Sequence, residues 1–226
     1  MKFTGMQEIS MQDYPGQIAT IVWTQGCNMN CWWCSNPQMI PTFKIQNTIS
    51  ERKLFKFLKN KNKSLKWVDA LVICGGEPTI QKDLYKFLCR FKKKFPTLKV
   101  KLDTNGTNPN LLKKLIEQKL VDYIAMDVKP ALFSDLDYFL STIYVKKFIE
   151  QNDGEFRWTL YPGSMENKNH FKIGFCGTKA PLYLQKFSRK MKLNRDGHQI
   201  AYTDEEIKEF QKELEKTYKG EIKIRG

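Results

Sequence analysis

Three cysteines, Cys27, Cys31 and Cys34, lie close together as C-x3-C-x2-C. Three thiolates at that spacing converge only on something compact. A structural zinc is held by four ligands in closed tetrahedral geometry. No fourth cysteine or histidine lies nearby, because the two histidines are His170 and His198. Iron–sulfur clusters are the other common target of thiolates. A cubane of four irons held by three cysteines leaves one iron without a protein ligand, an open position of the kind that marks a catalytic zinc. Gly26, Asn28 and Asn30 around the triplet are small, which suits a backbone that wraps a cluster. Trp32 and Trp33 beside it would exclude water or supply a stacking wall. The other cysteines, Cys74, Cys89 and Cys176, stand alone in apolar or amphipathic runs and read as small buried hydrophobes. The first ten residues lack the apolar core of a secretory signal, so the thiols are expected reduced, in the cytoplasm.

The elements that must position the triplet alternate along the chain. Ile18–Trp23 is a β-branched run, and the cysteine loop follows it. The segment 50–60 reads as a helix with Ser50 as its N-cap and Leu54, Phe55 and Leu58 on one face. Asp69–Cys74 is a strand. Lys82–Phe95 is a helix with Leu84, Phe87, Leu88 and Phe91 at helical spacing. Leu98–Leu102 is a strand, and Asn108 with Pro109 opens a helix to Gln118. Val121–Val128, Glu155–Tyr161 and Pro181–Phe187 complete six strands. Leu136–Glu150 is a helix, and Thr203 to Glu206 fits a capping box for a last helix, about 203–219. Residues 163–180 show little periodicity. Repeated strand–helix units imply a parallel sheet with helices outside it. Six are too few to close an eight-fold barrel, so the expected fold is α/β, an open, partial β/α barrel. Chemistry in such a fold sits at the C-terminal strand ends. Cys27, Gly75-Gly76-Glu77-Pro78, Asp103-Thr104-Asn105-Gly106, and Asp127 with Lys129 fall just there.

The run from Gly26 to Pro37 resembles the cluster motif of the radical S-adenosylmethionine (SAM) superfamily, C-x3-C-x-aromatic-C, with Trp33 at the aromatic position. More closely, the chain resembles the glycyl-radical-enzyme activases, above all the activating proteins of anaerobic ribonucleoside-triphosphate reductase. Asp13-Tyr14-Pro15-Gly16, Thr24-Gln25-Gly26-Cys27, Asn36-Pro37, the GGEPT run 75–79, the DTNGT run 103–107 and residues 122–129 carry the likeness. It implies a single domain over residues 1–226 with its core at about 16–187. It implies that Cys27, Cys31 and Cys34 ligate a [4Fe-4S] cluster whose open iron chelates SAM. One electron from the reduced cluster would cleave SAM to methionine and a 5′-deoxyadenosyl radical. Gly75, Gly76, Glu77 and Pro78 would meet the methionyl ammonium, with Asn105 also in the SAM site. Asp103, Thr104 and Asp127 match positions that help hold a monovalent cation beside the SAM carboxylate. Lys129 and Arg157 match basic positions near SAM or the partner. The implied partners are a large glycyl radical enzyme and an electron donor such as flavodoxin or ferredoxin. The chain departs from the pattern at Ser35, where a histidine is usual, and at Cys74, where a small residue such as Thr is commoner.

Three other readings stand beside the activase. One is a small-molecule radical SAM enzyme of the 7-carboxy-7-deazaguanine synthase type. Another is an RNA-modifying radical SAM enzyme, suggested by 38 Lys and Arg against 24 Asp and Glu, a net charge of +14. The last is a structural metal-binding domain, which predicts zinc. The lysines also fit the solvated faces of amphipathic helices. Hydrophobic residues make up 41 %, which excludes a disordered chain. No apolar run is long enough for a membrane span.

Overall fold

In the computed structural model, residues 1–40, 48–61, 67–175, 177–187 and 200–226 are described. Cys176 and His198 fall outside them. The chain divides into two compact units. The first comprises 1–30, 36–104 and 114–123; the second comprises 31–35, 105–113 and 124–226.

The first unit holds β1 (Lys2–Phe3), β2 (Gly5–Ser10), β3 (Ala19–Thr24), β4 (Ile49–Ser50), α1 (Glu51–Lys61), β5 (Ala70–Gly75), α2 (Leu84–Lys94) and β6 (Lys99–Thr104). β3, β5 and β6 run parallel, with Ala19 opposite Ala70 and Thr24 opposite Gly75. β2 joins antiparallel at the edge, beside β3. β1 and β4 form a small separate pair. A parallel strand is covered on both faces, so it reads as an unbroken apolar run. Leu71, Val72 and Ile73 are such a run and are fully buried. Leu84, Phe87, Leu88 and Phe91 form the buried stripe of α2, and Leu54 and Leu58 that of α1. Each such side chain contributes roughly 1.5–3 kcal/mol when removed from water. The Ser50 hydroxyl accepts from the Lys53 amide at 3.2 Å, the cap its sequence position predicts.

α3 (Pro109–Glu117) draws on both units and is capped by the Asn108 side chain. The second unit holds β7 (Tyr123–Asp127), α4 (Leu136–Ile149), β8 (Asp153–Leu160), α5 (Lys168–Gly174), β9 (Leu182–Lys186), α6 (Asp204–Glu215) and β10 (Ile222–Arg225). β8, β9 and β10 are parallel neighbours, with β10 at the edge. Trp158 anchors this core, 4.8 Å from Phe171 and 5.4 Å from Phe210 between ring centres. The capping box of α6 is formed by Thr203 and Glu206.

The fold is α/β, with a mostly parallel sheet flanked by helices. The six expected strands are present as β3, β5, β6, β7, β8 and β9. Edge strands at β2 and β10 mean that the sheet does not close into a barrel. Those two strands were not legible: Gly5–Ser10 lacks a β-branched run, and β10 lies in a short charged stretch. Residues 164–174, expected to be aperiodic, hold a 3-10 turn and the short α5. Cys74 and Cys89 are half-buried rather than buried. Cys89 lies one residue past Leu88, off the buried stripe of α2. Among the described residues, no helix is long and apolar enough to cross a membrane.

Candidate functional site

In the first unit, Cys27 follows β3 in a loop tied to the end of β5. Gly26 has a φ of +91°. Its amide donates to the Met39 carbonyl at 2.8 Å, and its carbonyl accepts from the Glu77 amide at 2.8 Å. The Gly76 amide donates to Thr24 O at 3.0 Å. The approach leaves no space for side chains. A Cβ on Gly76 would stand 2.0 Å from Gly26 O, and one on Gly75 would stand 2.4 Å from Thr24 N and O. The two glycines thus clamp the cysteine loop, a demand for close backbone approach that glycine alone meets. The Met29 amide points at Cys27 Sγ, 3.4 Å away.

Glu77 is 1 % exposed. Its Oε1 accepts from the Thr79 amide at 3.0 Å, the Thr79 hydroxyl at 2.6 Å and the Thr104 hydroxyl at 2.8 Å. A buried carboxylate is tolerated when it is so fully bonded. The Glu77 side chain therefore holds the 77–80 turn against the end of β6. Pro78 opens that turn and is buried. Asp103, just before Thr104, lies 3.2 Å from the Lys101 ammonium.

The second unit places the remaining candidates. The Cys34 amide donates to Cys31 O at 3.1 Å, which turns the backbone between the two thiols. Trp33 stacks on Tyr161 with ring centres 3.7 Å apart, and Trp32 meets Tyr161 and Phe187 edge-on. Asp127, at the end of β7, pairs with Lys129 at 2.9 Å and Arg157 at 3.1 Å. The Tyr138 hydroxyl fixes this corner by donating to Asp127 O and accepting from the Lys129 amide. Burial opposes the charge of Lys129, but Asp127 and then Cys31 outweigh it and hold the ammonium pKa above its usual value. Burial pushes the Cys31 thiol up, Lys129 pulls it down, and Cys34 and Asp127 add to the rise. Such a thiol keeps its proton until a metal displaces it. Asn105 is buried and accepts from the Thr107 amide and hydroxyl through Oδ1. With Gly106 at a φ of +76°, this is an ordinary Asn-Gly turn.

The cysteine set suits an iron–sulfur cluster by its chemistry. All three donors are soft thiols, each half-buried and reduced, and an amide hydrogen is aimed at one sulfur. Among the described residues, no three His, Cys, Asp or Glu are grouped tightly enough for a single metal ion. Sequence reasoning missed Tyr138, Tyr161 and Lys101. Only Lys101 left a signal, a charge set between the apolar Val100 and Leu102.

The Radical SAM superfamily model matches residues 21–131. A Methanocaldococcus jannaschii protein, named provisionally as a glycyl-radical enzyme activating enzyme, is 39% identical over 128 residues, 56% of this chain and 49% of that protein. A 7-carboxy-7-deazaguanine synthase of Archaeoglobus fulgidus is 29% identical over 119 residues, 51% of this chain and 48% of its own. The chain thus spans about half the length of these curated relatives. The crystal structure of Streptococcus suis SuiB bound to the precursor peptide SuiA superposes on 91% of this chain and 48% of its own, with a TM-score of 0.63 and 15% identity. That likeness shows a shared fold. The cysteine motif lies inside the matched region, and the chain accordingly carries a radical SAM domain.

Proposed function

We propose that the chain is a glycyl-radical-enzyme activase. The carrying observation is the C-x3-C-x2-C triplet, with Trp33 before the last cysteine, inside the matched domain. In this reading Cys27, Cys31 and Cys34 hold a [4Fe-4S] cluster, and all of residues 1–226 serve a single catalytic domain. A cluster held there would supply the electron for reductive cleavage of bound SAM, the chemistry needed to take a Cα hydrogen from a glycine of a large partner, most closely an anaerobic ribonucleotide reductase. The chain's own residues position and screen. Gly75 and Gly76 hold the cysteine loop against β5. Glu77 fixes the turn that follows. Lys129 and Arg157 offer the positive charge that a SAM carboxylate needs, and Asp127 holds both. Trp33 and Tyr161 supply an apolar wall that keeps water from Cys31 and Cys34. The protein works in the cytoplasm in this reading, reduced by flavodoxin or ferredoxin.

The test is anaerobic reconstitution with iron and sulfide, reduction, and addition of SAM and a glycyl radical enzyme. The expected products are 5′-deoxyadenosine and a glycyl-radical EPR signal in the partner. Absence of both sinks the proposal. The 29% relative supports a second reading, a small-molecule enzyme of the deazaguanine synthase type. It predicts turnover of a pterin-like substrate with no protein partner present.

A further inference from the structure

The activases that this chain resembles hold a monovalent cation with residues matching Asp103, Thr104 and Asp127. Here each of these carboxylates already faces a side-chain cation. Asp127 has Lys129 and Arg157. Asp103 has Lys101, with Nζ 3.2 Å from Oδ1. Thr104 gives its hydroxyl hydrogen to Glu77. The set does not fit a dissociable cation.

Lys101 is the unusual member. It stands mid-strand in β6, and its side chain is 5% exposed. Residues two apart on a strand share a face, which is why it meets Asp103. A buried ammonium is costly unless it is paired and hydrogen-bonded. Lys101 Nζ donates to the Asp13 carbonyl at 2.7 Å and lies 5.4 Å from the centre of the Tyr123 ring. A carbonyl oxygen, a carboxylate oxygen and an aromatic face are the surroundings that a bare alkali cation would take.

We propose that Lys101 is a built-in substitute for the dissociable monovalent cation. Its ammonium neutralises Asp103, so neither folding nor SAM binding depends on sodium or potassium. The SAM part rests on the activase reading; the folding part stands on the Lys101 geometry alone.

The experiment compares wild type, Lys101→Met, and the double variant Lys101→Met with Asp103→Asn. Each is measured in sodium, potassium and N-methylglucamine chloride at equal ionic strength. Thermal unfolding of the cluster-free protein is read first, then SAM affinity of the reconstituted protein. Wild type is expected to give the same midpoint in all three salts. Lys101→Met is expected to unfold about 5–15 °C lower in N-methylglucamine, and to recover part of that loss in potassium or sodium. The double variant is expected to lose this response to the cation. A wild-type midpoint raised specifically by sodium or potassium overturns the proposal, as does a Lys101→Met protein indifferent to cation. Should Lys101→Met not fold, sodium NMR of wild type decides. Line broadening that potassium reverses overturns the proposal, and its absence supports it. Failure to form 5′-deoxyadenosine would count against the activase reading and leave the unfolding result standing.

Discussion

Of the three glycines at the cysteine loop, Gly26, Gly75 and Gly76, the last leaves the least room for a side chain. Its added Cβ would meet the carbonyl of Gly26, which is backbone and cannot swing aside. Gly76→Ala is therefore expected to push the Cys27 loop off β5. The measurable result is a protein that retains its far-UV circular dichroism but takes up less than half the iron and sulfide of wild type. Replacing Cys27, Cys31 or Cys34 singly by Ala is expected to abolish cluster uptake, with little change in unfolding midpoint, because each thiol is only half-buried. Iron and acid-labile sulfide analysis checks both. At this scale the thiols and glycines were legible, since their chemistry depends on spacing along the chain. Tyr138, Tyr161 and Lys101 were not, because their roles arise only when distant strands and loops meet.

Between elements, Glu51 links the first turn of α1 to Arg90 of α2 by two hydrogen bonds of 2.7 Å. Those bonds, against some burial, hold the Glu51 carboxyl below its ordinary value of 4.5. A lowered folded pKa gives stability that is present above 4.5 and is lost as pH falls through the folded value. Arg90 is half exposed, so solvent screens the pair and keeps its contribution small. Glu51→Gln is expected to lower the unfolding midpoint by about 1–4 °C at pH 7, with the gap narrowing as the pH falls below 4.5. Calorimetry across that range checks the sign. The helices α1, α2, α3 and α6 were readable from caps or apolar spacing, and α4 was expected at 136–150. α5 was not: seven residues with Phe171 as their one buried anchor carry too little periodicity.

For the whole molecule, the charge of +14 has a narrower meaning than its size suggests. The ion pairs of Lys168 and Lys172 with Glu213, Lys92 with Asp122, and Lys186 with Asp204 leave that excess whole, because each acidic partner is already counted in it. In the proposed reading the chemistry is carried by cysteines and strand ends. The excess favours an acidic partner at long range, an effect that salt screens. The rate of partner activation is expected to fall about tenfold between low and physiological salt, while 5′-deoxyadenosine formation without partner stays constant. Stopped activation assays across a salt series test this. The parallel fold was legible because buried strands declare themselves as apolar runs. The division of the cysteine loop between two compact units was not, since nothing in its sequence marks the break.

The hydrogen bond from Gly26 to Met39 closes the mouth of the loop that carries all three thiols. The chain thereby meets the entropy of joining the loop ends on folding, before any iron arrives. For a loop of roughly a dozen residues that is about 2 kcal/mol. Metal capture then has only to arrange the interior of a loop already pinned at its base. The Gly26 amide should accordingly resist hydrogen exchange in the cluster-free protein as strongly as in the loaded one, and cluster assembly should proceed without a refolding phase.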